Sequence, residues 1–208
     1  MGDLFVIAAA SGTGKTTLAR ALIERTPNLI RSVSHTTRPP RPGERDGVDY
    51  RFVANEVFEA MHRRGEFLEQ AEVFGHQYGT SRLAVSSALA AGQDVALVID
   101  WQGYRQLRAA LPSTVGVFLL PPSRAELERR LRGRGQDTEE VVRHRLARAQ
   151  GEITHWREFD YVVVNRDFDE ALADLQAIVR ARRLSRDAQA SAQAALLREL
   201  RAEDRQSR

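Results

Sequence analysis

An α/β fold with a central parallel sheet flanked by helices is predicted by three observations. A strand, a glycine loop and a helix open the chain: the apolar run Leu4-Phe5-Val6-Ile7-Ala8, then Ala9-Ala10-Ser11-Gly12-Thr13-Gly14-Lys15-Thr16-Thr17, then apolar residues at helical spacing over 18–24. Three later runs, 94–100, 115–120 and 159–165, are short and almost continuously apolar, as strands covered on both faces are. Stretches 82–91, 124–132, 138–152 and 168–183 carry helical spacing around them.

The glycine loop reads as a phosphate cradle. A polyphosphate must be met by fixed donors with no bulky side chain in the way. Gly12 and Gly14 let successive N–H groups turn inward, and the helix N-terminus adds its positive end. Lys15 supplies a mobile cation for β- and γ-phosphates, and the Thr16 hydroxyl can ligate Mg²⁺. Against the pattern G-x-x-x-x-G-K-[ST], Ala9 stands where the first glycine is expected. Of the 31 Lys and Arg residues only Lys15 is lysine. The compact ammonium is kept where a planar guanidinium would fit a phosphate loop poorly.

Composition sets the bounds. A length of 208 residues suits one α/β body with insertions, and a net charge of +3 suits anionic ligands without being a nucleic-acid footprint. Basic residues are interleaved with acids and lack stacking aromatics, so no nucleic-acid partner is expected. The absence of cysteine excludes disulfides and thiolate metal sites and fits a reducing, cytoplasmic setting. The run 4–10 is too short for a signal sequence, follows Asp3 and leads straight into the loop. No run approaches a membrane span, so no membrane partner is expected.

Along the chain, Thr26-Pro27-Asn28 marks a turn and 29–34 a short strand. In His35-Thr36-Thr37-Arg38-Pro39-Pro40-Arg41-Pro42-Gly43-Glu44 the prolines stiffen a path that carries Arg38 and Arg41. Two guanidinium forks so placed can grip one phosphate, and an exposed Pro-Arg loop is an equal reading of these residues alone. Phe52, Phe58, Phe67 and Phe74 are expected in the core. The helix over 82–91 stops at Gly92, and the strand over 94–100 ends in Asp100, which it would present to a ligand crevice. Beyond the strand 115–120, Pro121-Pro122 lead to an arginine-rich helix, a Gly133-Arg134-Gly135 hinge and a second helix. Residues 184–208 read as a marginal or frayed helix.

Ser32-Val33-Ser34-His35-Thr36-Thr37-Arg38, Arg41-Pro42-Gly43-Glu44, Asp46-Gly47-Val48-Asp49-Tyr50, Gly65-Glu66-Phe67-Leu68-Glu69 and Tyr78-Gly79-Thr80-Ser81 together resemble the guanylate kinase family. Ile99-Asp100-Trp101-Gln102-Gly103 and Arg130-Leu131-Arg132-Gly133-Arg134-Gly135 extend the resemblance, which spans about residues 3–180 with the phosphate loop. It implies a P-loop kinase that moves the γ-phosphoryl of ATP, with Mg²⁺, onto GMP. It implies a core from 1–33, 89–121 and 158–183, a GMP-binding region at 34–88 and a helical lid at 122–157, leaving 184–208 as a tail.

The resemblance also assigns roles. Arg38, Arg41, Tyr50 and Tyr78 would hold the GMP phosphate; Ser34, Glu69 and Thr80 would read guanine; Arg134 and Arg145 would reach the ATP phosphates; Asn165 would lie near the adenine. Lys15, Arg38, Asp100, Arg134 and Arg145 form the expected catalytic set, with Asp100 also near substrate. The family commonly carries a second Asp two residues before Asp100, where this chain has Val98.

The chemistry of guanine agrees with that division. Its N1–H and N2–H₂ groups can both donate to one carboxylate such as Glu69, while hydroxyls of Ser34 and Thr80 donate to O6. Adenine reverses the pattern, and such mismatch typically gives about 10⁴–10⁵ discrimination. Read without the resemblance, Glu69 is a solvated carboxylate between Glu66 and Glu72; packed aromatics are the alternative for Tyr50 and Tyr78, but their place beside Arg-rich and Gly-Thr-Ser segments favours phosphate contact. Two other functions remain in view: an inactive guanylate-kinase-like binding module, and a P-loop kinase with a phosphorylated sugar as acceptor. Monomer and homodimer are both open.

Overall fold

The computed structural model describes residues 1–73, 75–133 and 139–203. Phe74, expected in the core, and Arg134, expected in the lid, lie outside the described residues.

The first sheet is parallel throughout. It contains β1 (Leu4–Ala9), β2 (Leu29–Arg31), β7 (Asp94–Val98), β8 (Val115–Leu120) and β9 (Tyr161–Val164), in the order β2-β7-β1-β8-β9. β1 is buried along its whole length because both faces are covered. Phe5 and Ile7 join Leu18 and Leu22 of α1 (Lys15–Arg25) and Leu172, Leu175 and Val179 of α7 (Phe168–Arg183). Leu4, Val6 and Ala8 point the other way, toward Val85 and Leu89 of α3 (Arg82–Ala90) and Tyr104 and Leu107 of α4 (Trp101–Ala110).

The chain leaves this sheet earlier than the apolar pattern of 29–34 suggests. Ser32 still donates its N–H to Ala96 O, and then β3 (His35–Thr36) enters a second sheet with β4 (Arg51–Phe52), β5 (Phe67–Val73) and β6 (His76–Ser81), ordered β4-β3-β6-β5. Between β4 and β5 lies α2 (Asn55–Arg63), whose Phe58 stacks on Phe67 with ring centres 4.6 Å apart. Both rings are buried, whereas Phe52 is only half-buried.

After β8 come α5 (Arg124–Arg132) and α6 (Glu139–Ile153). Their apolar residues Leu127, Leu131, Val142, Leu146 and Ala149 pack together against Ala10. A 3₁₀ turn at Thr154–Glu158 then fastens the end of α6 to α4: His155 stacks flat on Trp101 at 3.5 Å, the Arg105 guanidinium lies over the Trp101 ring at 4.6 Å, and Glu158 binds both Arg105 and His155. The tail forms α8 (Arg186–Ala192) and α9 (Ala194–Glu203), where Leu196, Leu197 and Leu200 stay about half exposed.

Gly116 on β8 shows how tightly the second core is filled. A Cβ there would meet the Tyr104 ring at 2.4 Å, and that ring cannot retreat because it stacks on Phe159 at 4.1 Å. Its hydroxyl is held as well, by Arg108 at 3.0 Å and Asp160 at 3.3 Å. Gly116→Ala is expected to cost about 1–3 kcal/mol and to lower the melting temperature by roughly 3–10 °C. Thermal unfolding followed by circular dichroism checks this, and an unchanged melting temperature would contradict the packing.

Candidate active site

The loops leaving β1 and β7 open at one edge of the first sheet, and the second sheet stands over the same edge. Between them lies a cavity of about 590 Å³. Ala9 to Thr17 line one end, and Ser34, Arg38, Arg41, Tyr50, Glu69 and Tyr78 line the other.

The loop owes its shape to two glycines. Gly12 and Gly14 have φ of 89° and 96°, values open to glycine at little cost. Ala9 ends β1, paired with Leu119, so its position makes no such demand and tolerates a side chain. A Cβ on Gly12 would strike Leu131 at 2.8 Å, and one on Gly14 would strike the Asn165 amide at 2.7 Å, so α5 and β9 brace the loop from behind. Asn165 is buried and donates to Thr13 O at 2.7 Å, while Arg130 donates to the same carbonyl at 3.1 Å and to Asn165 O at 3.2 Å. Asn165, expected near adenine, is here a brace of the loop and does not line the cavity.

α1 begins at Gly14 with no side-chain cap, whereas α3, α4, α5 and α7 are capped by Ser81, Asp100, Ser123 and Asp167. Its first amides and its dipole are therefore open to an anion. Lys15 reaches across the loop to Ile99 O at 3.1 Å. Burial lowers its pKa, and the charges of Asp100 and Glu152 oppose that shift. Thr16 is exposed at the cavity.

At the opposite end, a register shift between Phe67 and Glu69 inserts an extra residue into β5. Such a bulge re-aims side chains: Leu68 goes to the core, and Glu69 lines the cavity. Glu69 is 4% exposed, and Thr80, fully buried, donates its hydroxyl to Oε1 at 2.6 Å. Gly103 leaves room for the carboxylate, since a Cβ there would meet Oε2 at 2.8 Å. Burial pushes the Glu69 pKa up to about 7, the nearby Asp100 charge adds to the rise, and the Thr80 hydrogen bond opposes it. Ser34 Oγ lies 3.4 Å from Thr80 Oγ1. Of the three expected base readers, Glu69 and Ser34 line the cavity and Thr80 sits behind Glu69.

Arg38 is held between groups. One nitrogen donates to both Glu44 oxygens at 2.9 Å, another to Pro39 O at 2.8 Å, and its guanidinium lies 5.5 Å from the Tyr50 ring. Glu44 also accepts the Arg41 N–H at 2.7 Å, so one carboxylate organises both arginines. Tyr50 and Tyr78 meet edge to face at 5.8 Å. Asp100 spends Oδ1 on the Gly103 amide at 2.9 Å as the cap of α4. Arg145 lines the cavity from α6.

Arg31, Glu44, Arg148 and Glu152 also line the cavity, and sequence reasoning gave them no role. Glu152 and Arg148 carried a usable signal, since positions 145, 148 and 152 share one helical face.

Fixed anion donors thus face a buried carboxylate across one space, which suits a polyphosphate and a second ligand held together. Fold and site define a P-loop phosphotransferase. The sequence profile of the guanylate kinase family matches residues 1–182, and the chain belongs to that family. It is 56% identical over 199 residues to a guanylate kinase of Nitrosococcus oceani and 55% identical over 199 residues to one of Alkalilimnicola ehrlichii, covering 96% of this chain and 98% of each relative. The crystal structure of guanylate kinase from Anaplasma phagocytophilum superposes with a TM-score of 0.74 at 36% identity, covering 89% of this chain and 88% of that one.

The buried Glu69 makes stability depend on pH. Below about 4.5 its carboxyl is protonated in both folded and unfolded chains and contributes nothing. Between about 4.5 and 7 the unfolded carboxyl ionises first, so stability falls as pH rises, and above 7 the full cost is present. That cost is about 3 kcal/mol. Glu69→Gln is expected to melt higher than the parent above pH 7, with the gap closing by pH 5. Melting curves across this range check it; a gap independent of pH would refute the raised pKa.

Proposed function

We propose that this ATP:GMP phosphotransferase seats ATP at the glycine loop and GMP beneath the second sheet, so that acceptor and donor phosphates meet between Lys15 and Arg38. The observation that carries this division is the single cavity lined by Lys15 at one end and by the buried Glu69 at the other. Residues 34–88 form the GMP-binding part and residues 122–157 the lid over a core made of the rest of 1–183, with the tail outside it.

Guanine enters with its N1–H and N2–H₂ edge toward ionised Glu69, and Ser34 donates to O6. In the present arrangement the Thr80 hydroxyl is committed to Glu69, so its contribution to base reading is to orient the carboxylate. Arg38, Arg41, Tyr50 and Tyr78 hold the GMP phosphate. Glu44 keeps Arg38 extended under Tyr50 until that phosphate arrives and takes over its donors.

No general base is required, because a GMP phosphate oxygen is already anionic at neutral pH. The chain's task is to hold two repelling phosphates in line and to stabilise the charge that spreads over the transferring group. Lys15 neutralises β- and γ-oxygens, the loop and α1 amides fix their positions, and Arg145 adds positive charge from the lid. Mg²⁺ bound with ATP supplies further neutralisation. The Thr16 hydroxyl would be the chain's ligand to it and the Asp100 carboxylate would assist in holding it, and no group of three or more His, Cys, Asp or Glu residues gathers a metal among the described residues. A site with so few protein oxygens fits magnesium carried in on phosphate. We place the protein in the cytoplasm on its lack of cysteine; no described helix is long and apolar enough to cross a membrane.

Lys15→Ala is expected to reduce kcat by roughly 10²–10³-fold while leaving GMP affinity nearly unchanged; unaltered kcat would remove Lys15 from the chemistry. Coupled ADP release measured with Mg-ATP and GMP, AMP, CMP, UMP or ribose phosphates tests the acceptor. Turnover is expected with GMP and lower with AMP by about 10⁴–10⁵ in kcat/KM, and efficient use of a sugar phosphate would overturn the base pocket.

A further inference from the structure

α6 presents two different faces. Val142, Leu146 and Ala149 pack it against Ala10 of the glycine loop, while Arg145, Arg148 and Glu152 face the cavity. Glu152 does more than line the wall. Its Oε2 accepts the backbone N–H of Ser11 at 3.0 Å, and its Oε1 accepts Arg148 Nε at 3.0 Å. Its charge also helps hold the Lys15 ammonium.

A carboxylate therefore stands on an amide of the phosphate cradle and beside the cradle's cation. We propose that Glu152 is a stand-in for a substrate phosphate: it occupies the Ser11 amide in the nucleotide-free protein and yields that amide when ATP seats. This rests on the reading of the glycine loop as the ATP site. Two physical consequences follow. An incoming polyphosphate pays for displacing an acceptor of its own charge, so ATP and ADP are held less tightly than the cradle alone would allow. The donor side of the loop stays satisfied and correctly formed when empty, which removes reorganisation from the binding step. Glu152 is thus a positioning residue that acts through the Ser11 amide.

The test is calorimetric titration of Mg-ATP and Mg-ADP, without GMP, into the full chain and its Glu152→Gln, Glu152→Ala, Arg148→Ala and Glu152→Gln/Arg148→Ala variants. Glu152→Gln keeps size and an acceptor oxygen but removes the competing charge. It is expected to bind both nucleotides roughly tenfold more tightly, the scale of one charge-assisted hydrogen bond exchanged for a neutral one. KM for ATP should fall without a rise in kcat, because ADP is retained as well. In the Arg148→Ala background the gain should persist, since it comes from the vacated Ser11 amide. A merely structural Glu152 gives the opposite result: a lower melting temperature and weaker nucleotide binding in both Glu152 variants. Unchanged or weakened ATP affinity in Glu152→Gln overturns the proposal, and loss of the gain in the Arg148→Ala background overturns its assignment to the Ser11 amide. Lys15→Ala separates the two levels. If it loses turnover while Glu152→Gln leaves ATP affinity unaltered, the loop reading stands and this inference falls; if it retains turnover and ATP affinity, the loop reading falls first.

Discussion

The Thr13 carbonyl is gripped from two sides, by the Asn165 amide and by Arg130, and the rest of the site depends on that grip. A loop whose amides must all point inward has its carbonyls pointing outward, and a buried carbonyl left without a partner would be costly. Asn165 directly follows β9 and Arg130 lies on α5, so the last strand of the first sheet and the helix after β8 both converge on one peptide oxygen. In the order β2-β7-β1-β8-β9, β9 pairs in parallel with β8 and β8 with β1, so the end of β9 opens on the same edge of the sheet as the loop that leaves β1. The phosphate cradle is thus assembled by elements some 120 and 150 residues away along the chain.

The acidic groups of the site are used in a complementary way. Glu69 is kept dry and close to neutrality by its surroundings, Asp100 is tied to the start of α4, Glu44 to Arg38, and Glu152 to Ser11 and Arg148. Each carboxylate that faces the anion-binding space has a donor of its own, which limits its repulsion of phosphate.

The core was legible in the sequence because its signals are local. β1, β8 and α7 lie where the apolar spacing places them, and Gly12 and Gly14 announce a left-handed backbone that other residues avoid. The second sheet was less legible. Its strands β3 and β4 are two residues each, too short for any period to appear. The burial of Glu69 depends on a bulge at Phe67–Glu69 and on the space above Gly103, neither of which a run of acidic residues reveals. Asn165 was marked as a site residue by resemblance, yet its partner is the loop's own backbone, a contact between residues 152 positions apart. Glu44 shows the same limit: three residues after Arg41 it looks like a surface acid, and only the fold of the proline loop brings both oxygens onto Arg38.

The clasp at the end of α6 has a further consequence. The chain has two tryptophans, and both sit at this junction: Trp101 directly follows Asp100 and is in contact with both His155 and Arg105, and Trp156 lies in the 3₁₀ turn beneath Arg157. An indole in van der Waals contact with an imidazole emits according to how closely that partner stays stacked. The protein therefore carries its own optical gauge, native and unlabelled, at the point where α6 is anchored to the helix that Asp100 begins.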